Sequence, residues 1–207
     1  MFVFMTQNNI LPAILAGGKS RRFGRDKCLE KLGETNLLLH VAKKLLLRFE
    51  KILVVVNKSK IKKKNNMIVI KDCIKGYQGP LVGILTALKW AKKNNYNWVA
   101  TFPCDTPFFT NKIINQLIKK TKIKKKKIYY VKSGKQRHNI FSLWPTKCGK
   151  ILEKKIKIDK IRKVEQLLDI MGSKKILVNN EKNIFLNINT RADFKVAQNK
   201  YKNDKLY

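Results

Sequence analysis

The chain has 207 residues, with 47 Lys+Arg against 13 Asp+Glu, a formal net charge of +34 and a pI near 10.2. A hydrophobic share of 44% excludes wholesale disorder, and no apolar run reaches the ~18 residues of a membrane-spanning helix. The charge excludes a cationic partner and directs attention to anions: nucleic acid, nucleotide, phosphorylated metabolite or acidic membrane.

In chain order, the apolar start Met1–Met5 is short, with neither a basic leader nor a small-residue cleavage site, so it does not read as a signal peptide. Ile10–Leu15 reads as a strand that feeds the turn Ala16-Gly17-Gly18. Leu37–Phe49 places Leu38, Val41, Leu45 and Phe49 on one face with Lys43, Lys44 and Arg48 between them, an amphipathic helix. Ile52–Val56 is continuous and β-branched, as a strand buried on both faces requires, and Met67–Ile70 repeats it on a smaller scale. A helix over Leu81–Ala91 precedes a strand over Trp98–Phe102, which Pro103-Cys-Asp-Thr-Pro107 breaks; Ile113–Ile118 is a further helix. Ile128–Lys132 and Ile140–Trp144 read as strands around the hairpin turn Ser133-Gly134-Lys135. Val164–Met171 is a helix ended by Gly172, and Thr190 with Asp193 fits the cap of a last helix. The Lys-rich stretches Lys58–Lys64, Lys119–Lys127 and Lys154–Lys163 sit between elements, and Trp90, Trp98 and Trp144 read as core.

Strands alternating with helices predict a three-layer α/β/α, Rossmann-like fold with a mostly parallel sheet, as a single domain over 1–207. In such sheets ligands bind beyond the carboxyl ends of the strands, here after Leu15, Val56, Ile70 and Phe102. The cysteines Cys28, Cys73, Cys104 and Cys148 form no C-x-x-C, so neither a zinc site nor a disulfide framework is expected, and reduced cytoplasmic thiols are the default. Two histidines, His40 and His138, exclude a His-rich metal site.

The densest signal is Leu15-Ala-Gly-Gly-Lys-Ser-Arg-Arg-Phe-Gly-Arg-Asp-Lys27. Adjacent Gly17 and Gly18 after a strand let backbone N–H groups approach an anion, and Lys19, Arg21, Arg22, Arg25 and Lys27 crowd cations there. Polyphosphate fits both features. The spacing matches neither the Walker loop nor the dinucleotide fingerprint. Asp105, in Pro103–Pro107, either caps the following turn or offers a carboxylate to a Mg²⁺ ion shared with phosphate. Asn57 and Asp72 each end a strand, where they form a turn or hydrogen-bond a base or ribose. Gly83 inside a helix costs ~1 kcal/mol against alanine, which fits a close approach by ligand or backbone. Cys104 has no histidine nearby in sequence to activate it as a nucleophile.

Taken in order, LAGGKSRRFGRDK, Val54–Asn57, Asp72, Gly79–Gly83, PCDTP and Asn187–Thr190 resemble the nucleotidyltransferases of molybdenum cofactor biosynthesis, in particular their guanylyltransferases. The resemblance spans about Leu11 to the last helix. It implies GMP transfer from GTP to the terminal phosphate of molybdopterin, with Mg²⁺ as cofactor. It implies that Leu15, Ala16, Gly17, Gly18, Lys27, Asn57, Asp72 and Asp105 bind the nucleotide, with Asp105 the metal ligand. Arg22, with Lys27 and Asp105, matches positions that carry catalysis, and Gly79, Gly83, Asn187 and Asn189 match positions that hold the acceptor. The chain departs from the family's His-Pro-Thr segment with His138-Asn139-Ile140, and Arg162 and Lys163 both suit a later basic position. The implied setting is cytoplasmic, with GTP, molybdopterin, and molybdoenzymes or other cofactor-biosynthesis proteins as partners, and no membrane or specific nucleic acid. The alternatives are cytidylyl transfer to the same acceptor, for which the LAGG and PCDTP residues are the less usual set, and a basic nucleic-acid-binding protein, for which no RRM, KH or helix-turn-helix pattern is present.

Overall fold

A computed structural model describes residues 9–17, 27–57, 61, 66–74, 76, 79–179 and 183–203. The strands are β1 (Ile10–Leu15), the short pair β2 (Lys31–Leu32) and β3 (Thr35–Asn36), β4 (Ile52–Val56), β5 (Met67–Lys71), β6 (Trp98–Pro103), β7 (Tyr129–Ser133), β8 (Gln136–Pro145) and β9 (Lys174–Val178). The helices are α1 (Leu37–Leu46), α2 (Pro80–Lys93), α3 (Asn111–Lys120), α4 (Gly149–Lys157), α5 (Val164–Ile170) and α6 (Arg191–Asn203).

Seven strands form one sheet in the order β5-β4-β1-β6-β8-β7-β9. Only β8 runs against the others, since its pairings with β6 and β7 are antiparallel and the remaining pairings are parallel. The apolar run Ile52–Val56 is buried along its whole length because helices cover both faces. On one face Leu38, Val41 and Leu45 of α1 pack with Ile113, Ile114 and Leu117 of α3. On the other, Leu81, Ile84 and Leu88 of α2 pack with Leu152 and Ile156 of α4 and Leu167 of α5. The layers are thus those expected, α/β/α around a mostly parallel sheet. A smaller cluster ties α6, through Phe194 and Ala197, to Leu32, Leu37 and Phe108.

Local chemistry sets the boundaries. Asn36 caps α1 by accepting from the Leu39 N–H at 2.9 Å. Pro80 occupies the first turn of α2, where its missing N–H costs nothing. The first helix stops at Leu46, short of the expected Phe49, although Phe49 stays buried in a turn. The Lys-rich stretches do not all lie between elements: α4 takes up Lys154–Lys157 because Leu152 and Ile156, four residues apart, give it a buried stripe beneath the lysines. The hairpin strand starts at Gln136 rather than Ile140, and β9, not anticipated, adds the edge beyond β7.

The thiol expectation is corrected. Cys28 and Cys104, 76 residues apart in sequence, are joined in a disulfide with their Cα atoms 6.0 Å apart, while Cys73 and Cys148 are free. Sequence separation concealed this proximity: Cys28 lies in the 3₁₀ turn Lys27–Leu29, and the fold lays that turn against the loop after β6. Trp98 and Trp144 are core residues as expected, and Trp90 is partly buried.

Candidate active site

Parallel neighbours deliver their carboxyl ends side by side, and β1, β4 and β5 do so here. Ala16 N donates to Val55 O at 2.8 Å and Asp72 N to Val56 O at 2.9 Å, so the chain ends of the three strands are stitched together. Gly17 follows, and a Cβ built on it would stand 3.4 Å from Asp72 Oδ2, 3.6 Å from Asn57 N and 3.7 Å from Asn57 Cβ. Gly17, Asn57 and Asp72, far apart in sequence, thus share one corner. Helix α2 leans on that corner through Gly83, whose added Cβ would come 3.3 Å from Leu15 Cδ2 and 3.8 Å from Asp72 Oδ1. A larger residue there would push Leu15 or Asp72. Asp72 Oδ1 is buried and has no hydrogen-bond partner among the described residues. Burial pushes the Asp72 carboxyl up to about 6.

A second corner forms around Asp105, at the end of β6. Lys27 Nζ lies 2.6 Å from Asp105 Oδ2, 2.8 Å from Asn189 Oδ1 and 3.1 Å from Ile188 O. Thr106 Oγ1 reaches Asp105 Oδ1 at 3.3 Å. The Ile188 N–H donates to Asp105 O at 2.9 Å, which pins the segment before α6 to this loop. That segment is itself fixed by the expected cap: Asp193 Oδ2 accepts from the N–H groups of Asn189 and Thr190 at 2.9 and 2.8 Å, and Thr190 Oγ1 accepts from Asp193 N–H at 3.1 Å. These hydrogen bonds hold the Asp193 carboxyl below its usual range.

The two corners open on a cavity of about 780 Å³. Leu15, Gly17, Lys27, Asp72 and Asp105 line it, and so do Gly79, Gly83 and Asn187. Asn189 stands behind Lys27, and Asn57 behind Gly17. Ala16 is the outlier: its side chain is buried in the core and its N–H is taken by Val55 O, and it does not border the cavity. Gly18 and Arg22, with Lys19, Arg21 and Arg25, lie outside the described residues. Arg162 and Lys163 both border the cavity, and Arg162 Nη1 donates to Ile156 O at 3.0 Å.

The far wall is the β7–β8 hairpin, which sequence reasoning did not assign to the site beyond noting His138. Gln136, Arg137, His138 and Asn139 border the cavity together with Phe185. The turn glycine Gly134, at φ +51°, marks the hairpin, but no pattern in the sequence places it over the strand ends. The reversed β8 does so by inserting between β6 and β7. Arg137 is held by Asp169 at 2.9 Å and stacks 4.5 Å over the Tyr130 ring. His138 receives Ser133 at 2.6 Å on Nε2, and burial pushes it down to about 4, so its ring is neutral at physiological pH.

Among the described residues no three His, Cys, Asp or Glu side chains converge, so a metal here has one carboxylate and must complete its shell from elsewhere. Three oxygens of different kinds do surround the Lys27 ammonium, and such a hard-oxygen setting attracts a cation.

Residues 12–174 match the family described as the MobA-like NTP transferase domain. A molybdenum cofactor guanylyltransferase of Haemophilus influenzae is 31% identical over 188 residues, covering 90% of this chain and 96% of that protein. One from Mesorhizobium japonicum is 30% identical over 176 residues, covering 80% and 81%. Among solved structures, the molybdopterin-guanine dinucleotide biosynthesis protein A of Archaeoglobus fulgidus superposes with a TM-score of 0.77 at 22% identity, covering 93% of this chain and 98% of that one. The 2-C-methyl-D-erythritol 4-phosphate cytidylyltransferase of Francisella tularensis superposes at 0.69 with 16% identity, covering 93% and 99%, a likeness of fold. No helix among the described residues is long and apolar enough to cross a membrane.

Proposed function

The chain belongs to the MobA-like NTP transferase domain family, and from that premise we propose that it transfers GMP from GTP to the terminal phosphate of molybdopterin. It is a nucleotidyltransferase of molybdenum cofactor biosynthesis, as its relatives of ~30% identity over most of their length are named. A phosphate oxygen of the acceptor attacks the α-phosphorus of GTP. The bond from that phosphorus to the bridging oxygen breaks, and pyrophosphate leaves with the electron pair. The nucleophile is a phosphate monoester with a second pKa of roughly 6, so it is already ionised at neutral pH and needs no general base. That suits a cavity whose histidine, His138, is held below its usual range.

The barrier is repulsion between anions and their alignment, so the protein's work is positioning and charge neutralisation. Gly17 allows the nucleotide to approach the β1 backbone, with Leu15 and Gly83 shaping the wall beside it. Asp72 borders the cavity with Oδ1 unpartnered among the described residues, and its carboxylate suits the N1–H and amino donors that guanine presents together; cytosine offers only its amino group on the matching edge. This orphaned acceptor is the observation that carries the choice of GTP. Lys27 lies at the phosphate end, where it neutralises Asp105 until phosphates arrive and then has an anion of its own to meet. Asn187 and Asn189, fixed through Ile188 and the Asp193 cap, close the acceptor side. Asp105 would hold the Mg²⁺ ion, and the bound ion would supply neutralisation of phosphate charge. Arg22, outside the described residues, completes the expected set at the leaving pyrophosphate.

The test is incubation with molybdopterin, Mg²⁺ and either GTP or CTP, reading pyrophosphate and dinucleotide product. Guanine dinucleotide from GTP, with CTP at least tenfold slower, is the expected result. Preference for CTP would transfer the chain to the cytidylyl reaction, and no product from either would overturn the reading.

A further inference from the structure

Resting on the acceptor named above, we propose that the stacked pair His138–Phe185 seats the flat bicyclic pterin ring of that acceptor and so determines which acceptor is taken. The two rings lie face to face, with centroids 3.7 Å apart and planes 17° apart. Phe141 meets both edge-on, at 6.5 Å from His138 and 5.4 Å from Phe185, so the pair is backed by core and cannot turn freely. Ser133 Oγ fixes the imidazole in its plane through the 2.6 Å contact at Nε2. Phe185 is only 6% exposed whereas His138 is half-buried, which makes the imidazole the outer ring of the stack, and both border the cavity.

A preformed planar surface suits a planar ligand, and base-on-ring stacking tolerates any heteroaromatic face while the rim selects among them. The cavity lining here includes amides: Gln136 and Asn187 carry a donor and an acceptor each, and Asn139, whose Oδ1 accepts from Arg137 Nε at 3.2 Å, keeps its amino group as a donor, to match a pterin edge that carries both. The half-buried imidazole stays neutral, so it adds no charge to attract a phosphate. The alternative occupant is the guanine of GTP. The nucleotide corner with the unpartnered Asp72 lies on the other wall, at the ends of β4 and β5, which leaves the hairpin wall to the acceptor.

The test separates the two occupants. Kinetics with molybdopterin and GTP should show the Michaelis constant for molybdopterin raised roughly tenfold or more in His138→Ala, the scale of a lost stacking contact, with that for GTP unchanged. His138→Phe, which keeps a ring but loses the Ser133 hydrogen bond, should recover most of the loss. An unchanged acceptor constant in His138→Ala overturns the proposal, and so does a rise in the GTP constant instead, which would give the platform to guanine. A second readout needs no turnover: quenching of pterin-6-carboxylate fluorescence by the wild-type chain should weaken in His138→Ala and in Phe185→Leu, with thermal unfolding confirming that both variants are folded. Equal quenching by all three proteins overturns the platform. Wild-type protein that quenches the pterin yet makes no guanine dinucleotide would count against the transfer reaction and not against this seat.

Discussion

Asp72 and Asp105 occupy equivalent places in the architecture, each just past the carboxyl end of a parallel strand on either side of the β4–β1 pair, yet their surroundings are opposite. Asp105 is met by an ammonium at 2.6 Å and by a hydroxyl at 3.3 Å. Asp72 has one oxygen buried with no partner among the described residues, and its carboxyl is pushed up to about 6. An acid that must work among phosphates needs a cation beside it, or it repels the substrate. An acid that must read a neutral base gains from being left uncompensated, because every donor it then finds belongs to the ligand.

The comparison can be broken most sharply at Asp105. Asp105→Ala should cut turnover by roughly 10²-fold or more, the loss that follows removal of a single electrostatic stabiliser, read as pyrophosphate release at saturating GTP. Near-normal turnover would remove the contrast altogether. Next is Asp72→Asn, which exchanges an acceptor pair for one acceptor and one donor. The Michaelis constant for GTP should rise by about tenfold to a hundredfold, the range of a charge-assisted hydrogen bond, with maximal turnover moving far less.

Acidity sharpens the same point. As pH falls through about 6, Asp72 takes up its proton and can no longer accept two donors, so GTP should bind progressively more weakly, and the Asp72→Asn variant should lack this component. The stability of the free protein should move the other way. The raised carboxyl binds its proton more tightly folded than unfolded, so wild-type stability rises as pH drops from about 6 toward the ordinary carboxylate value. In thermal unfolding, the advantage of Asp72→Asn over wild type should be largest at pH 7 and shrink toward pH 4. The smallest effect belongs to Gly83→Ala. The new methyl would sit 3.3 Å from the tip of Leu15, a flexible side chain bordering the cavity that can yield. Helix propensity should then gain up to about 1 kcal/mol, while the displaced Leu15 raises the GTP constant a few-fold.

The β1, β4 and β6 strands were legible because burial on both faces leaves an unbroken apolar run, as in Ile52–Val56. The same logic hid β9: at the sheet edge only Ile176 is buried, so Lys174-Lys175-Ile176-Leu177-Val178 reads as another basic stretch. Helix α4 was masked in the same way by Lys150, Lys154, Lys155 and Lys157 around two buried residues. In the site, the motif residues at strand ends could be anticipated because parallel topology sends those ends to one place. That Gly83 would touch Leu15, that Cys28 would reach Cys104, or that Phe185 would lie on His138 could not, since each depends on how separate elements pack. Ala16 shows the converse: a residue inside the right motif whose side chain faces the core.

The ammonium of Lys27 and the carbonyl of Ile188 meet 3.1 Å apart although 161 residues separate them along the polypeptide. During synthesis, Lys27 emerges from the ribosome long before its partner does. A nascent chain that has released β1 through β6 and the loop after it holds Lys27 and Asp105 but not the hook that steadies them, so competence should arrive abruptly, with the last stretch before α6, rather than grow in step with length.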